Sequence, residues 1–417
     1  MKVGFWISQR LRLGGSGSGS PVAVVIAVAG VALALIVMEF TLAIVTGFKD
    51  GIRNKLMGFD AQISVLAPLP GSDDTVAVCL RQTPALDSVV RGVVPSDAEL
   101  RLSLRMPGML KTDDNFQGAV YFGQSPDADF AFERGNIVEG EWPDYSADSC
   151  DNKIVLSRSM AMALGLGTGD RVFSTFIVDG NVKMRRHTIA GIYESDFGEY
   201  DNTVVYASLR GLQRVAGLDS ISGDRLDIRG IALDDIEGES YNLKNALVNA
   251  AALDELDSFH PVDNIFRSGA LYFNWLALLD TNVTVIFILM LAVAGFTLVS
   301  SLFILILERV RTIGILRAMG ASKGLIRTVF VDLGFRLAGR GLIIGNIVGL
   351  GCLIVQKHWH VIPLNPEMYY LNSVPVEIVP WHFVILNVGI LVAAWLILMI
   401  PAGVASDTDP SKAIETE

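Results

Sequence analysis

Charge is what this 417-residue sequence has least of: Asp, Glu, Lys and Arg make up 18% of it, against about 25% in a typical soluble protein. Hydrophobic residues make up 51%, and mean hydropathy is +0.45. These values exclude a disordered polymer, a nucleic-acid binder built on basic patches, and an ordinary cytosolic enzyme. Cysteine is equally sparse. Cys79, Cys150 and Cys352 have no zinc-site spacing and form no disulfide scaffold. Cys79 and Cys150 either pair in an oxidising compartment or stay as two small unpaired side chains, and Cys352, inside an apolar run, is expected to pack there. Catalytic motifs are missing too. No phosphate loop G-x-x-x-x-G-K-[ST] and no H-E-x-x-H is present. The glycine-rich pieces Gly14–Ser20 and Gly165–Gly169 lack the lysine a phosphate loop needs. His358 and His360 flank Trp359; an interfacial belt explains the three better than a metal site.

The charges present are unevenly placed. Lys49–Asp280 holds 35 acids and 21 bases, net −14, while the rest of the chain is net +3. An acidic surface offers no attraction to nucleic acid or anionic lipid, so no nucleic-acid partner is expected. Four apolar runs carry the remainder: Pro21–Met38 with Phe40–Phe48 after Glu39, Thr281–Leu307, Gly341–Gln356, and Trp381–Ile400 closed by Pro401. Each approaches or exceeds the length a membrane helix requires. The first run is too long for a secretory signal and is followed by a poor cleavage site, so it reads as an uncleaved anchor. Lys2, Arg10 and Arg12 precede it, and five bases lie in the loop Glu308–Arg327, but only Lys357 in Lys357–Pro380. The positive-inside rule therefore puts both termini inside and Lys49–Trp275 outside. Phe5–Leu13 reads as a basic amphipathic arm on the inner leaflet or as a plain tail, joined by the flexible linker Gly14–Ser20.

The outer segment reads as α+β. Strands are expected at Ala61–Leu66, Ala119–Gly123, Lys153–Leu156, Arg171–Val178, Arg186–Tyr193, Thr203–Tyr206 and Asp224–Ala232, with a hairpin tip at Asp179-Gly180-Asn181. Helices are expected at Ser157–Leu166 and at Tyr241–Leu256, the latter with Leu243, Ala246, Leu247, Ala250 and Leu253 on one stripe.

Three features outside that domain point to function. Gly341, Gly345 and Gly349 recur every four residues in the third run, the spacing that lets another helix approach closely. Glu39 is an ionisable group inside the first run, which makes it a functional candidate by default; it either snorkels or lines a bundle cavity. Asp332 and Arg336, at i and i+4, neutralise one another. The inner loop Leu307–Ser322 is the most informative stretch. Arginines satisfy orientation, but Ile313, Leu316 and Met319, able to share one helix face, call for a docking surface for a cytosolic protein. Gly320 caps that helix and Ser322 starts the next.

The stretch Glu308-Arg-Val-Arg-Thr-Ile-Gly-Ile-Leu-Arg-Ala-Met-Gly-Ala-Ser322 resembles the inner-loop signature of permeases of the MacB/FtsX ABC transporter superfamily. Val45–Lys49 with Gly58-Phe59, Tyr369-Tyr-Leu with Val374-Pro-Val376, and Pro401…Ala405-Ser406…Pro410…Ala413 resemble its lipoprotein-releasing, LolC/LolE-type members. The resemblance implies an α-helical membrane protein with four transmembrane helices plus a large α+β periplasmic domain of porter and sabre subdomains. The parts would be a cytoplasmic arm (1–20), transmembrane helix 1 (21–48), the periplasmic domain (49–275, sabre about 133–217, porter from both flanks) and transmembrane helix 2 (276–307). A cytoplasmic coupling loop (308–327), transmembrane helix 3 (328–356), a periplasmic loop (357–380), transmembrane helix 4 (381–401) and a cytoplasmic tail (402–417) would follow.

The resemblance implies a non-catalytic subunit in the inner membrane that binds no cofactor itself, with ATP and Mg on a separate cytosolic ABC ATPase. Glu308, Arg309, Arg311, Ile313, Leu316, Arg317 and Met319 would couple to that ATPase; Glu39, Phe40, Trp275 and Leu278 would form the lipid- and substrate-facing portal. Further partners would be a second permease copy or paralogue, membrane lipid, lipoprotein substrates and their periplasmic carrier. One departure matters: the hairpin Phe176–Met184 is short and has no proline, which weakens a carrier-capturing hook and leaves a LolE-like or homodimeric role open. An efflux or cell-division permease, or a membrane-anchored periplasmic sensor or enzyme, are the alternatives.

Overall fold

The computed structural model describes residues 21–68, 79–113, 115–126, 128 and 130–406. The expected N-terminal arm and linker, and the tail beyond Ser406, lie outside these residues. The described residues divide into two compact units, one within 21–50, 275–363 and 373–406, the other within 51–274 and 364–372.

The first unit is helical. Four helices are long and apolar enough to cross a membrane: Pro21–Phe59 (span 1), Ala270–Glu308 (span 2), Lys323–Trp359 (span 3) and Pro380–Ser406 (span 4). Ala27, Val31 and Leu35 of span 1, Leu298 and Leu302 of span 2, Leu337 and Leu342 of span 3, and Leu386 and Leu398 of span 4 share one buried core. Val285, Ile288, Phe296, Ile347 and Val392 point outward, the arrangement lipid requires.

The helices outrun the apolar runs. Span 1 continues to Phe59 because Ile52, Leu56 and Phe59 extend its stripe and are buried; Lys49 ends the uncharged run but not the helical pattern. Span 2, at 39 residues, is about 58 Å long, nearly twice the hydrocarbon thickness of about 30 Å. Pro401 does not close span 4, as expected from sequence, but sits inside the helix, which continues to Ser406. The ring removes a single hydrogen bond, a loss that membrane helices tolerate. Cys352 is exposed on span 3 and does not pack in the core as expected.

The second unit is α+β. Its strands are β1 (Ile63–Leu66), β2 (Leu80–Arg81), β3 (Glu99–Lys111), β4 (Phe116–Gln124), β5 (Ile137–Gly140), β6 (Lys153–Ser157), β7 (Arg171–Val178), β8 (Asn181–Tyr193), β9 (Val204–Ser208), β10 (Ser222–Gly223), β11 (Arg225–Arg229) and β12 (Val262–Asn264). Ten of them form one sheet in the order β12-β1-β11-β3-β4-β9-β6-β8-β5, with β7 bridging β3 and β8; β2 and β10 pair separately. β4–β9 and β6–β8 are parallel and the other contacts in the large sheet are antiparallel.

β3 is not among the strands expected from sequence, although Leu100, Leu102, Leu104 and Met106 alternate along it. Its first part pairs with β11 and its last part with β7, so Pro107 falls where only β4 is paired alongside, a place where a missing N–H is harmless. Strands on both sides of position 133 thus belong to one sheet. The hairpin tip is a two-residue turn, Asp179-Gly180, with φ of 49° and 73°, the geometry that matches strand twist.

The first expected helix forms at Arg158–Leu164, with the Ser157 hydroxyl accepting from the Met160 N–H and Gly165 left-handed at its end. The second begins earlier, at Ile236, and stops at Ala252. Leu253 is consequently exposed and not on the buried stripe. The core is built on Tyr121, Phe176, Tyr193 and Phe197, all fully buried.

Candidate functional site

Between spans 2 and 3 the chain forms a short helix, Val310–Ala318. Gly320, at φ 93°, lets the chain reverse so that the Ala321 N–H reaches the Leu316 carbonyl at 3.0 Å. The Ser322 hydroxyl then accepts from the Leu325 N–H at 3.2 Å and starts span 3. Ile313 is buried in the bundle core, Leu316 and Arg317 are half-buried, and Met319 is 79% exposed. The expected shared face of Ile313, Leu316 and Met319 is therefore split. The exposed stripe is Arg311, Ile315 and Met319, spaced four residues apart and so on one side of the helix. Glu308 is exposed and Arg309 half-buried just before it.

The three glycines of span 3 face span 1. A Cβ on Gly341 would stand 2.7 Å from the Cβ of Val31, and one on Gly345 would stand 2.9 Å from Leu35 and 3.1 Å from the Ala32 carbonyl. Only glycine allows this approach. Gly349 lies against the carboxylate of Glu39, which is fully buried and whose two oxygens have no hydrogen-bond partner. Glu39 thus neither snorkels nor lines an open cavity. Span 3 is tied to span 4 by reciprocal amide hydrogen bonds between Asn346 and Asn387, 2.7 and 3.1 Å. Asp332 and Arg336 pair at 2.9 Å.

The four residues expected at a portal are not together. Glu39 is in the span 1–span 3 seam, while Phe40 packs against the cluster of Ala43, Leu353, Val376 and Phe383. Trp275 is 37% and Leu278 62% exposed; Trp275 meets Phe48 edge-on at 5.5 Å. Lys49 and Asp280 pair at 2.6 Å nearby. A nearly all-apolar cavity of about 410 Å³ lies between spans 1, 2 and 4, lined by Met38, Leu42, Phe287, Ile288, Ile385 and Ile390, with His382 the polar side chain among its neighbours. No spacing pattern in the sequence signals it, because it is assembled from single residues of three helices. Two motifs do meet: Gly47 lies against the backbone of Pro375 and Glu377, and the Glu377 N–H donates to the Ala43 carbonyl at 3.0 Å.

In the α+β unit the buried charges serve the fold. Asp60 pairs with Arg105; burial alone would raise this carboxyl, but Arg105, with Arg225 and Arg229, holds it below the ordinary carboxylate value. His187 is hydrogen-bonded to Ser174 at 2.6 Å, and burial, aided by Arg185, pushes it down to about 4. Cys79 and Cys150 are both free thiols. Among the described residues no group of three His, Cys, Asp or Glu side chains is placed to hold a metal. The hairpin β7–β8 exposes Ile177 and Val182 near its tip.

Residues 24–243 match the model of the MacB-like periplasmic core domain and residues 284–410 that of the FtsX-like permease C-terminal region. The chain is 24% identical over 402 residues to the lipoprotein-releasing system transmembrane protein LolC of Xylella fastidiosa (strain 9a5c), covering 91% of each chain. To LolC of Neisseria meningitidis serogroup B it is 23% identical over 399 residues, covering 90% of each. The periplasmic region of MacB from Actinobacillus actinomycetemcomitans superimposes with a TM-score of 0.33 at 12% identity, covering 52% of this chain and 96% of that one. The core-domain match spans more than half of the sequence, and the chain belongs to the MacB/FtsX superfamily of ABC-transporter permeases. Within it, similarity along nine-tenths of the chain is to the LolC/LolE type. It is an inner-membrane protein with a periplasmic domain.

Proposed function

We propose that this chain is the non-catalytic permease subunit of an ABC transporter that releases lipoproteins from the outer leaflet of the inner membrane to a periplasmic carrier. ATP and Mg are bound by a cytosolic ATPase subunit, and a second permease, a copy or a paralogue, completes the membrane part. The observation that carries this reading is the helix Val310–Ala318. It is anchored by buried Ile313 and presents Arg311, Ile315 and Met319 outward, a surface that a mere positive-inside loop does not need. Glu308, Arg309 and Arg317 flank that surface, and both termini lie in the cytoplasm. The relatives contribute the substrate class, since two of them are lipoprotein-releasing proteins.

The test is charge reversal. Arg309→Glu, Arg311→Glu and Arg317→Glu together reduce co-purification of the ATPase at least about tenfold, as expected when several interfacial charges are inverted. Met319→Asp, which leaves every charge pair in place, weakens it as well. Undiminished co-purification of both variants, in chains that still melt cooperatively, overturns the docking role. Depletion of the protein followed by inner-membrane proteomics tests the substrate: lipoproteins accumulate there, and a membrane with no such accumulation rules the substrate class out.

A further inference from the structure

The α+β unit is not one stretch of chain. Residues 364–372, which lie in sequence between spans 3 and 4, belong to it together with 51–274. The segment is closed at its neck by the Leu364 N–H donating to the Asn372 carbonyl at 3.0 Å. Its contacts converge on one lysine. Lys55 Nζ, on the helix of span 1, donates to the Tyr370 carbonyl at 2.8 Å and to the Ser195 carbonyl at 2.6 Å, and stands 3.8 Å from Asp196 Oδ2. Asn372 donates to that same Asp196 carboxylate. The Tyr370 ring lies tilted against Phe197 at 4.8 Å and meets Tyr272 edge-on at 5.8 Å. Gly51, one turn before Lys55, lets Leu371 approach so that an added Cβ would be 3.2 Å away.

The acceptor loop at Ser195 is also held by hydrogen bonds of its own. Asp201 accepts from the Ser195 N–H and hydroxyl, and the Ser195 hydroxyl in turn accepts from the Phe197 N–H at 3.2 Å. Among the described residues, Asp196 and Tyr370 are two of five non-glycine residues at positive φ, 58° and 60°. Such conformations cost about 1–3 kcal/mol each and persist only where surrounding contacts over-determine them. Two of them meeting at one ammonium group is unexplained by a passive surface loop.

We propose that residues 364–372 form a fixed joint clamped by Lys55. Through it spans 3 and 4 act on the periplasmic domain by direct chain connection, as spans 1 and 2 do, and the joint stays closed throughout the transport cycle. Lys55 is a positioning residue: it touches no substrate. The functional half of this inference rests on the permease reading; the structural half does not.

The experiment uses the full chain in its assembled complex. In Lys55→Met, amide exchange of residues 364–372 speeds up at least about tenfold, the order expected for the loss of one charge-assisted hydrogen bond. ATPase co-purification is unchanged, and lipoprotein released per ATP hydrolysed falls at least about tenfold. Lys55→Arg, which keeps the charge and donors, restores most of both. A Gly51→Cys, Leu371→Cys chain, with Cys79, Cys150 and Cys352 replaced by alanine and the new pair closed by a short thiol cross-linker, keeps its release activity. Unchanged exchange in Lys55→Met overturns the clamp. Raised exchange with unchanged release per ATP overturns its role in transmission, and a cross-link that stops release overturns the fixed joint in favour of an opening one. If the wild-type complex releases no lipoprotein, the permease reading fails, and the exchange result alone decides on the clamp.

Discussion

The two units hide their polar groups in opposite ways. In the α+β unit a buried acid is surrounded: Asp227 accepts from Ser64 and Ser103, and Asp151 from Ser208, Arg210 and Arg214. In the helical unit Glu39 is just as buried and has no partner. The difference follows from what holds each unit together. A sheet domain gains from burial out of water and can place long cationic side chains over its acids. Membrane helices gain nothing from apolar burial between themselves and rely on close approach, here at Gly341, Gly345 and Gly349. A seam that tight has no room for a cation beside Glu39. Packing is thus the fragile quantity in one unit, and charge balance in the other.

That contrast can be broken from either side. The largest loss is expected from Asp60→Ala, which leaves the Arg105 guanidinium buried without its closest acid; breaking such a pair costs about 3–5 kcal/mol. Thermal melting of the purified protein reads it, and a shift smaller than that of an exposed pair such as Lys49–Asp280 would show that the pair does not matter. Gly345→Leu comes next, at about 1–3 kcal/mol for overpacking, measured as a lowered melting temperature in detergent. The third effect is an acid limb. His187 holds its proton less tightly folded than unfolded, so the unfolded chain takes up the extra proton between pH 6.5 and about 4. Stability is full above that window and falls through it by roughly 1 kcal/mol per pH unit; in His187→Gln that part of the slope disappears. The smallest effect has the opposite sign. Glu39→Met fills the same space without polar atoms and raises stability by about 1 kcal/mol; a fall instead would mean that Glu39 has a partner in the assembled complex.

Much of this was legible in the sequence wherever one helix or strand carries the whole signal. The glycine repeat, the Asp332–Arg336 pair, the Asp179-Gly180 turn, and Gly320 with Ser322 around the inner-loop helix are all local, and spacing alone places them. The orientation of that helix was not legible. Which of its apolar residues faces the bundle depends on Arg309, where the helix breaks from span 2, and the exposed stripe shifted from Ile313, Leu316 and Met319 to Arg311, Ile315 and Met319. The helices of spans 1 and 4 run past the charge and the proline that mark the ends of the apolar runs, because Ile52, Leu56 and Phe59 carry the first onward and Pro401 is absorbed in the second. Lys55, Asp196 and Tyr370 lie far apart in sequence, and nothing but the Tyr369-Tyr370-Leu371 motif pointed toward them.

The sheet order also sets a timetable for folding. β1 pairs Ile63 with Ile228 on one side and with Asn264 on the other. One edge therefore stays open until about 160 further residues have been made and exported, and the other until about 200. β7 and β8, joined by a two-residue turn, and the neighbouring β6 can pair well before that, because their contacts are local. The middle of the domain is thus ready early and the part nearest the chain's entrance and exit last. Residues 364–372 arrive later still, after spans 2 and 3 have been synthesised, so the domain is complete only when most of the membrane part already exists.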